Sequence, residues 1–106
     1  MKKFKIKIDS QALNDIQEIK QWYNLQKPSL GIRFRNTTIK QINTLDKVPF
    51  SYAIRYKEIR CMLIRSFPYM VHFYINHRAN TVEVLAVIST DRNPMIWKEK
   101  TGDSTY

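Results

Sequence analysis

Residues 58–88 read EIRCMLIRSFPYMVHFYINHRANTVEVLAVI, and this stretch decides the fold. It holds three segments rich in β-branched, aromatic and other apolar residues, at 58–66, 69–76 and 81–88, a composition typical of β-strands. The links between them, Phe67-Pro68 and His77–Asn80, have the lengths of hairpin turns. The stretch therefore predicts three consecutive strands in an antiparallel meander.

The middle segment alternates with a period of two, which assigns its side chains to two faces of the sheet. One set is apolar and consists of Val71, Phe73 and Ile75. The other set is mixed and consists of Met70, His72 and Tyr74. The apolar set is predicted to face the core and the mixed set to face away from it.

The residues before this stretch predict one strand and two helices. Residues 3–8 (KFKIKI) alternate lysine with apolar side chains, as a half-buried strand does. The period then lengthens to that of an amphipathic helix over 11–25, which Pro28 ends. A second helix is predicted over 29–45, and residues 46–50 (DKVPF) predict a loop.

The predicted order is β-α-α-β-β-β, an α+β architecture with a short C-terminal tail. In it a two-helix hairpin packs on one face of a mostly antiparallel four-stranded sheet. The other face, which carries Met70, His72 and Tyr74 with arginines of the neighbouring strand, is predicted to be open. An open face that mixes apolar and basic groups is typical of a binding surface.

Length and composition narrow the function classes. A chain of 106 residues predicts a single domain over 1–106, with an ordered core of about 3–98 and a flexible tail at 99–106. Two glycines rule out a Gly-rich phosphate loop, and one cysteine (Cys61) with two histidines argues against a disulfide or a metal site. No cofactor is expected.

No apolar run could span a bilayer, and Lys5 and Lys7 interrupt the apolar part of any signal peptide, so a cytoplasmic protein without membrane contact is expected.

The net charge of +9 predicts an anionic partner. Four lysines lie at residues 2–7, and residues 52–78 hold a second excess of cations. The remaining cations are spread over the predicted helices and loops, with no arginine-rich groove and no aromatic ladder. The charge is interpreted first as a surface for an acidic protein segment and second as a surface for RNA.

The ordered set of motifs resembles the RelE/ParE superfamily of toxins from type II toxin–antitoxin systems over residues 3 to about 97. The set comprises the opening strand, Ala12-x-x-Asp15-Ile16, Trp22-Tyr23, Arg33-Phe34, Pro49, the run from Ile59 to Ile75, and VEVLAVISTDRNP-x-x-W from Val82 to Trp97. The Phe67-Pro68-Tyr69 link and the late Arg-x-Pro-x-x-Trp are closer to the ParE branch.

This resemblance implies two helices packed on a curved antiparallel sheet. It also implies a cognate antitoxin whose acidic or amphipathic segment wraps the toxin and orders on binding, in a toxin–antitoxin hetero-oligomer.

The resemblance implies one of two activities. RelE-like members cleave ribosome-bound mRNA with a cluster of basic side chains, and the positions of three of these cations fall on Cys61, Leu63 and Met70. ParE-like members act on DNA gyrase and need no such cluster. The expected function is therefore growth inhibition through gyrase, without bond-breaking by the protein itself. The alternatives are an mRNA endonuclease using Arg65, His72 and Arg92, and a non-toxic module that only binds its antitoxin.

Seven residues are candidates for contact with the target or the antitoxin: Arg60, Arg65, Met70, His72, Tyr74, Arg92 and Trp97. Five of them have a structural alternative. Arg60 and Arg65 suit a structural ion pair, His72 an ordinary surface position, and Arg92 and Trp97 an anchor for the tail. No metal ligands are expected.

Overall fold

In a computed structural model, which describes residues 3–91, two helices pack on one β-sheet. The helices and strands follow the hydrophobic periods of the sequence. The elements are β1 (Lys5–Ile8), α1 (Ser10–Gln26), α2 (Pro28–Thr44), a 3-10 turn (Pro49–Ser51), β2 (Ile54–Tyr56), β3 (Ile59–Leu63), β4 (Tyr69–Asn76) and β5 (Thr81–Ser89). The predicted tail beyond Asp91, including Arg92 and Trp97, lies outside the described residues.

The sheet has five strands in the order β1-β5-β4-β3-β2. β1 runs parallel to β5, and the other neighbours are antiparallel. The prediction of four strands was wrong because it missed β2. This strand is only three residues long, too short to show a period, and it reaches β3 through a tight turn in which Lys57 has a φ of 48°.

The two-helix hairpin is confirmed, and both helices lie within one residue of their predicted bounds. The only residue between them is Lys27, whose extended backbone (φ −160°, ψ 123°) is the conformation that a following proline favours. Gly31 lets the helices approach closely, since a Cβ at this position would overlap the Lys20 carbonyl oxygen on α1. Neither of these helices, the two found within residues 3–91, is long and apolar enough to cross a membrane.

The core lies between the helices and the sheet face that carries Val71, Phe73 and Ile75. The Phe34 ring of α2 packs edge-on against Phe67, with ring centroids 5.1 Å apart, while Tyr23 of α1 contacts both. Aromatic pairs in this geometry add to the stability gained from burial. The aromatic cluster joins both helices to the β3–β4 link and thereby fixes the position of that link.

Asp15 accepts a hydrogen bond from the β5 backbone beyond the point where β1 ends. β1 ends at Ile8 opposite Val84, and within residues 3–91 no strand pairs with β5 beyond this point on that side. The buried Asp15 carboxylate of α1 accepts a hydrogen bond from the Val87 amide at 2.9 Å, and another from Gln11 at 2.8 Å. The carboxylate thus partners a backbone donor that would otherwise be buried unpaired.

Candidate functional site

Five of the residues singled out by the sequence lie on one face of the sheet, opposite the helices. In the antiparallel register of β3 and β4, Leu63 lies opposite Met70, Cys61 opposite His72, and Ile59 opposite Tyr74. Because side chains of directly opposed residues point to the same side, Met70, His72 and Tyr74 share this face with Cys61 and Leu63. The predicted alternation of β4 is therefore confirmed.

The prediction that His72 is exposed was wrong. Its side chain is fully buried, although it lies on the face that the helices leave uncovered. The Tyr56 hydroxyl of β2 is 2.9 Å from His72 Nδ1, and Cys61 Sγ of β3 is 3.4 Å from the same nitrogen. Side chains of β2 and β3 therefore cover the ring, and we call Tyr56, Cys61 and His72 the buried cluster.

Burial sets the charge of this cluster. Burial first, and the Arg55 guanidinium second, lower the pKa of His72 from 6.5 to about 4. Burial raises the pKa of the Cys61 thiol from 9.0 to about 11, although Arg55 opposes this shift. Both groups are therefore neutral at pH 7. A buried imidazole with so low a pKa is a weak base, and a buried thiol with so high a pKa is a weak nucleophile.

Arg60 lies on the opposite face of the sheet from Met70 and Tyr74. It is paired with Phe73, a core residue, and is half-buried. Its guanidinium donates a hydrogen bond to the Tyr52 carbonyl at 2.6 Å and lies 5.3 Å from the centre of the Phe50 ring. These contacts hold the segment before β2 against β3. The prediction that Arg60 shares the face of Met70 and Tyr74 was wrong, and its contacts are a carbonyl and an aromatic ring instead of the ion pair considered as the structural alternative.

Arg65 also lies apart from the mixed face, in the β3–β4 link beside α2. Its backbone amide donates to Gln41 Oε1 at 2.6 Å, and Gln41 Nε2 donates to the Leu63 carbonyl at 3.1 Å. Gln41 thus fastens the link to α2 at two points. The structure brings Met70, His72 and Tyr74 together and places Arg60 and Arg65 elsewhere, while Arg92 and Trp97 lie outside residues 3–91.

Sequence reasoning missed a basic groove between α2 and the β3–β4 link. One hollow of about 290 Å³ is lined by Arg33, Thr37, Lys40, Gln41, Thr44, Arg65 and Ser66. A second of about 380 Å³ is lined by Lys3, Lys40, Asn43, Thr44, Asp46, Lys47 and Val48. The hollows share Lys40 and Thr44, and together we call them the α2 groove.

This groove holds two arginines and three lysines, so it is a mixed basic surface and not the arginine-rich groove that the sequence also does not predict. The groove takes its side chains from the chain start, from α2 with the residues after it, and from the β3–β4 link. One signal for it was present, since Arg33, Thr37, Lys40 and Thr44 recur at helical spacing and so lie on one face of α2.

Within residues 3–91, no three His, Cys, Asp or Glu side chains come together in a way that could hold a metal ion.

Residues 6–94 match the family described as ParE toxin of the type II toxin–antitoxin system parDE. A search of curated protein sequences gives no match. Among solved structures, the fold is similar to that of a chromosomal ParDE system from P. aeruginosa, with a TM-score of 0.72 and 17% identity over 81% of this chain and 95% of that one.

Two E. coli structures share the fold as well. A mutant of the toxin RelE in the free state gives a TM-score of 0.70 and 14% identity, with all of both chains covered. The intact RelBE toxin–antitoxin complex gives 0.64 and 16% identity over 84% of this chain and 99% of that one. The family match covers most of the sequence, and the chain accordingly belongs to the ParE toxin family of type II toxin–antitoxin systems.

Proposed function

We propose that this protein inhibits growth by contacting DNA gyrase, that it does so without cleaving RNA, and that a cognate antitoxin neutralises it in the cytoplasm. The observation that carries the proposal is the composition of the mixed face. Leu63 and Met70 lie directly opposite one another, and Cys61 lies on the same face two residues along β3. These are the positions where the resemblance to RelE-like nucleases puts cations.

The chemistry of RNA cleavage explains why this composition matters. Attack by a 2′-hydroxyl needs a base to take its proton and positive charge to stabilise the phosphate in the transition state. A thiol with a pKa of about 11, a leucine and a methionine supply neither. The one imidazole on this face, His72, is fully buried. An activity that depends on contact with a protein target has no such requirement.

The antitoxin part of the proposal is supported by the family and by charge. Similar structures include the RelBE complex of E. coli and a RelBE2 complex of M. tuberculosis, both described as toxin–antitoxin complexes. A net charge of +9 favours fast encounter with an acidic or amphipathic segment. A toxin–antitoxin hetero-oligomer is the assembly we propose.

The test is induction of the chain without its antitoxin, followed by separate assays for two targets. We expect growth arrest, inhibition of supercoiling by purified gyrase, and intact transcripts. Transcripts cut on the ribosome, with cleavage lost on R65A together with R92A, would establish the nuclease alternative instead. Normal growth of cells that accumulate folded protein would establish the non-toxic alternative.

A further inference from the structure

The α2 groove has the chemistry of a surface for nucleic acid phosphates. Five cations line it, namely Lys3, Arg33, Lys40, Lys47 and Arg65, together with hydroxyl and amide side chains such as those of Thr37, Asn43 and Ser66. Arginine, lysine, threonine, serine, asparagine and glutamine are the side chains that contact phosphate oxygens in complexes with DNA. The lining therefore offers both positive charge and neutral hydrogen-bond donors.

Most of this positive charge is uncompensated. In the part of the chain that the structure describes, Asp46 is the one acidic residue of the lining, and it pairs with Lys3 at 3.8 Å between Nζ and Oδ2. Within residues 3–91, no ion pair involves Arg33, Lys40, Lys47 or Arg65. Arg33, Lys40 and Arg65 are exposed, so a bound anion would reach them without displacing an internal partner. The stripe from Arg33 to Thr44 extends about 16 Å along the helix axis.

The shortage of aromatic and apolar side chains in the groove favours one kind of polyanion over the others. Among residues 3–91, its lining holds no aromatic side chain and one apolar side chain, that of Val48. Protein segments usually bind through buried aromatic or aliphatic anchors, and single-stranded nucleic acids through aromatic rings that stack on bases. A duplex backbone needs neither. Readers of double-stranded RNA span about 16 base pairs, which is longer than this groove.

We propose that the α2 groove binds the phosphate backbone of double-stranded DNA without reading its sequence. The inference goes beyond the proposed function and does not depend on it, because the groove lies apart from the mixed face of the sheet. Gln41 has a positioning role here, since it holds the β3–β4 link, and with it Arg65, against α2. Through this contact the chain would be held close to DNA while other surfaces engage a protein partner.

The experiment is fluorescence anisotropy of a labelled 20-base-pair DNA duplex of mixed sequence, titrated with the purified full chain at several salt concentrations. With about four phosphates neutralised, the affinity should fall roughly 150-fold between 50 and 200 mM salt. R33E with K40E should weaken binding at least about tenfold and lower the slope of log affinity against log salt by about two.

The matched control is K5E with K7E. These two lysines are exposed on β1, outside the groove, and their reversal lowers the net charge by the same amount. We expect this control to weaken binding less than about threefold, because neither lysine lines the groove and so neither would contact a bound phosphate directly. Circular dichroism establishes that each variant is folded, and R65E replaces the α2 pair if that pair unfolds.

Three results would overturn the proposal. Equal losses for both pairs of reversals would mean that only net charge matters. Tighter binding of a 20-base-pair RNA duplex would assign the groove to RNA. A polyglutamate peptide that binds more tightly than DNA, and loses affinity on R33E with K40E, would assign the groove to an acidic protein segment.

Discussion

The buried cluster and the α2 groove differ in the kind of residue they hold and in what the fold does with it. The cluster contains a histidine and a cysteine, the residue types most often associated with catalysis, but burial keeps both neutral. The groove contains ordinary surface cations from separate segments, but the fold gathers them along one helix face. Position in the fold therefore decides which charged or reactive groups are available to a partner.

The largest expected effect tests the neutrality of His72 through the pH dependence of stability. The pKa of His72 is about 4 in the folded protein, against 6.5 for an exposed histidine in the unfolded chain. Between these values the unfolded chain binds the proton more readily, so stability is complete above about pH 6.5 and falls as the pH drops to about 4. The loss should approach about 3 kcal/mol, measured by urea unfolding at each pH.

The control for this measurement is the second histidine. H72L should flatten the dependence between pH 4 and 6.5, whereas H77Q should leave it in place because His77 is exposed. A wild-type protein as stable at pH 4.5 as at pH 7 would mean that His72 is protonated in the folded state.

The next effect tests whether the Cys61 thiol is inert. With its pKa raised from 9.0 to about 11, the thiolate fraction at pH 8 falls roughly 100-fold, and burial further limits access. Alkylation by iodoacetamide should therefore be at least about 100-fold slower in the native chain than in guanidinium chloride. Equal rates in the two states would show that the cluster opens readily to solvent.

A smaller effect is expected at the hydrogen bonds that shape the groove. Q41A removes the two bonds to Leu63 and Arg65 and should cost about 1 kcal/mol of unfolding free energy. It should also weaken DNA binding, since Arg65 would no longer be fixed beside α2. Q17A changes an exposed glutamine of α1 and should alter neither quantity. Unchanged stability and binding for Q41A would mean that the link holds its position without this side chain.

The smallest effect should come from the groove cations themselves. K40E or R33E alone should change the unfolding free energy by less than about 0.5 kcal/mol, because exposed charges without ion pairs contribute little to stability. Thermal unfolding measures this directly. A loss above about 1 kcal/mol would show that these cations support the fold, and the contrast with the buried cluster would fail.

The strands of the meander were predictable because their patterns are strong. Tyr69–Asn76 alternates over its full length, and the structure gives β4 the same bounds. The break between the helices was equally clear, since Pro28 restricts Lys27 to an extended backbone. β2 has only Ile54–Tyr56 and gives no comparable signal, so its pairing with β3 follows from tertiary contacts.

The candidate site was only partly predictable, since alternation gives the face of a residue but not what covers it. His72 lies on the predicted face, yet Tyr56 of the unpredicted strand β2 lies against its ring. The α2 groove was not predicted from the sequence for a related reason. Lys3, Lys40 and Arg65 are far apart in the sequence, and contacts between separate elements bring them near one another. Among these contacts are the Gln41 hydrogen bonds to Leu63 and Arg65 and the Lys3–Asp46 ion pair.

The parallel pairing of β1 with β5 has a consequence for how the chain becomes active during synthesis. Lys5 pairs with Thr81, so β1 cannot pair with β5 until about 76 more residues have been translated. At 5–20 residues per second this delay is roughly 4–15 s. Since contacts between distant residues also form slowly, the nascent chain stays incomplete until late in translation, which leaves an interval for a cognate partner to meet it before it matures.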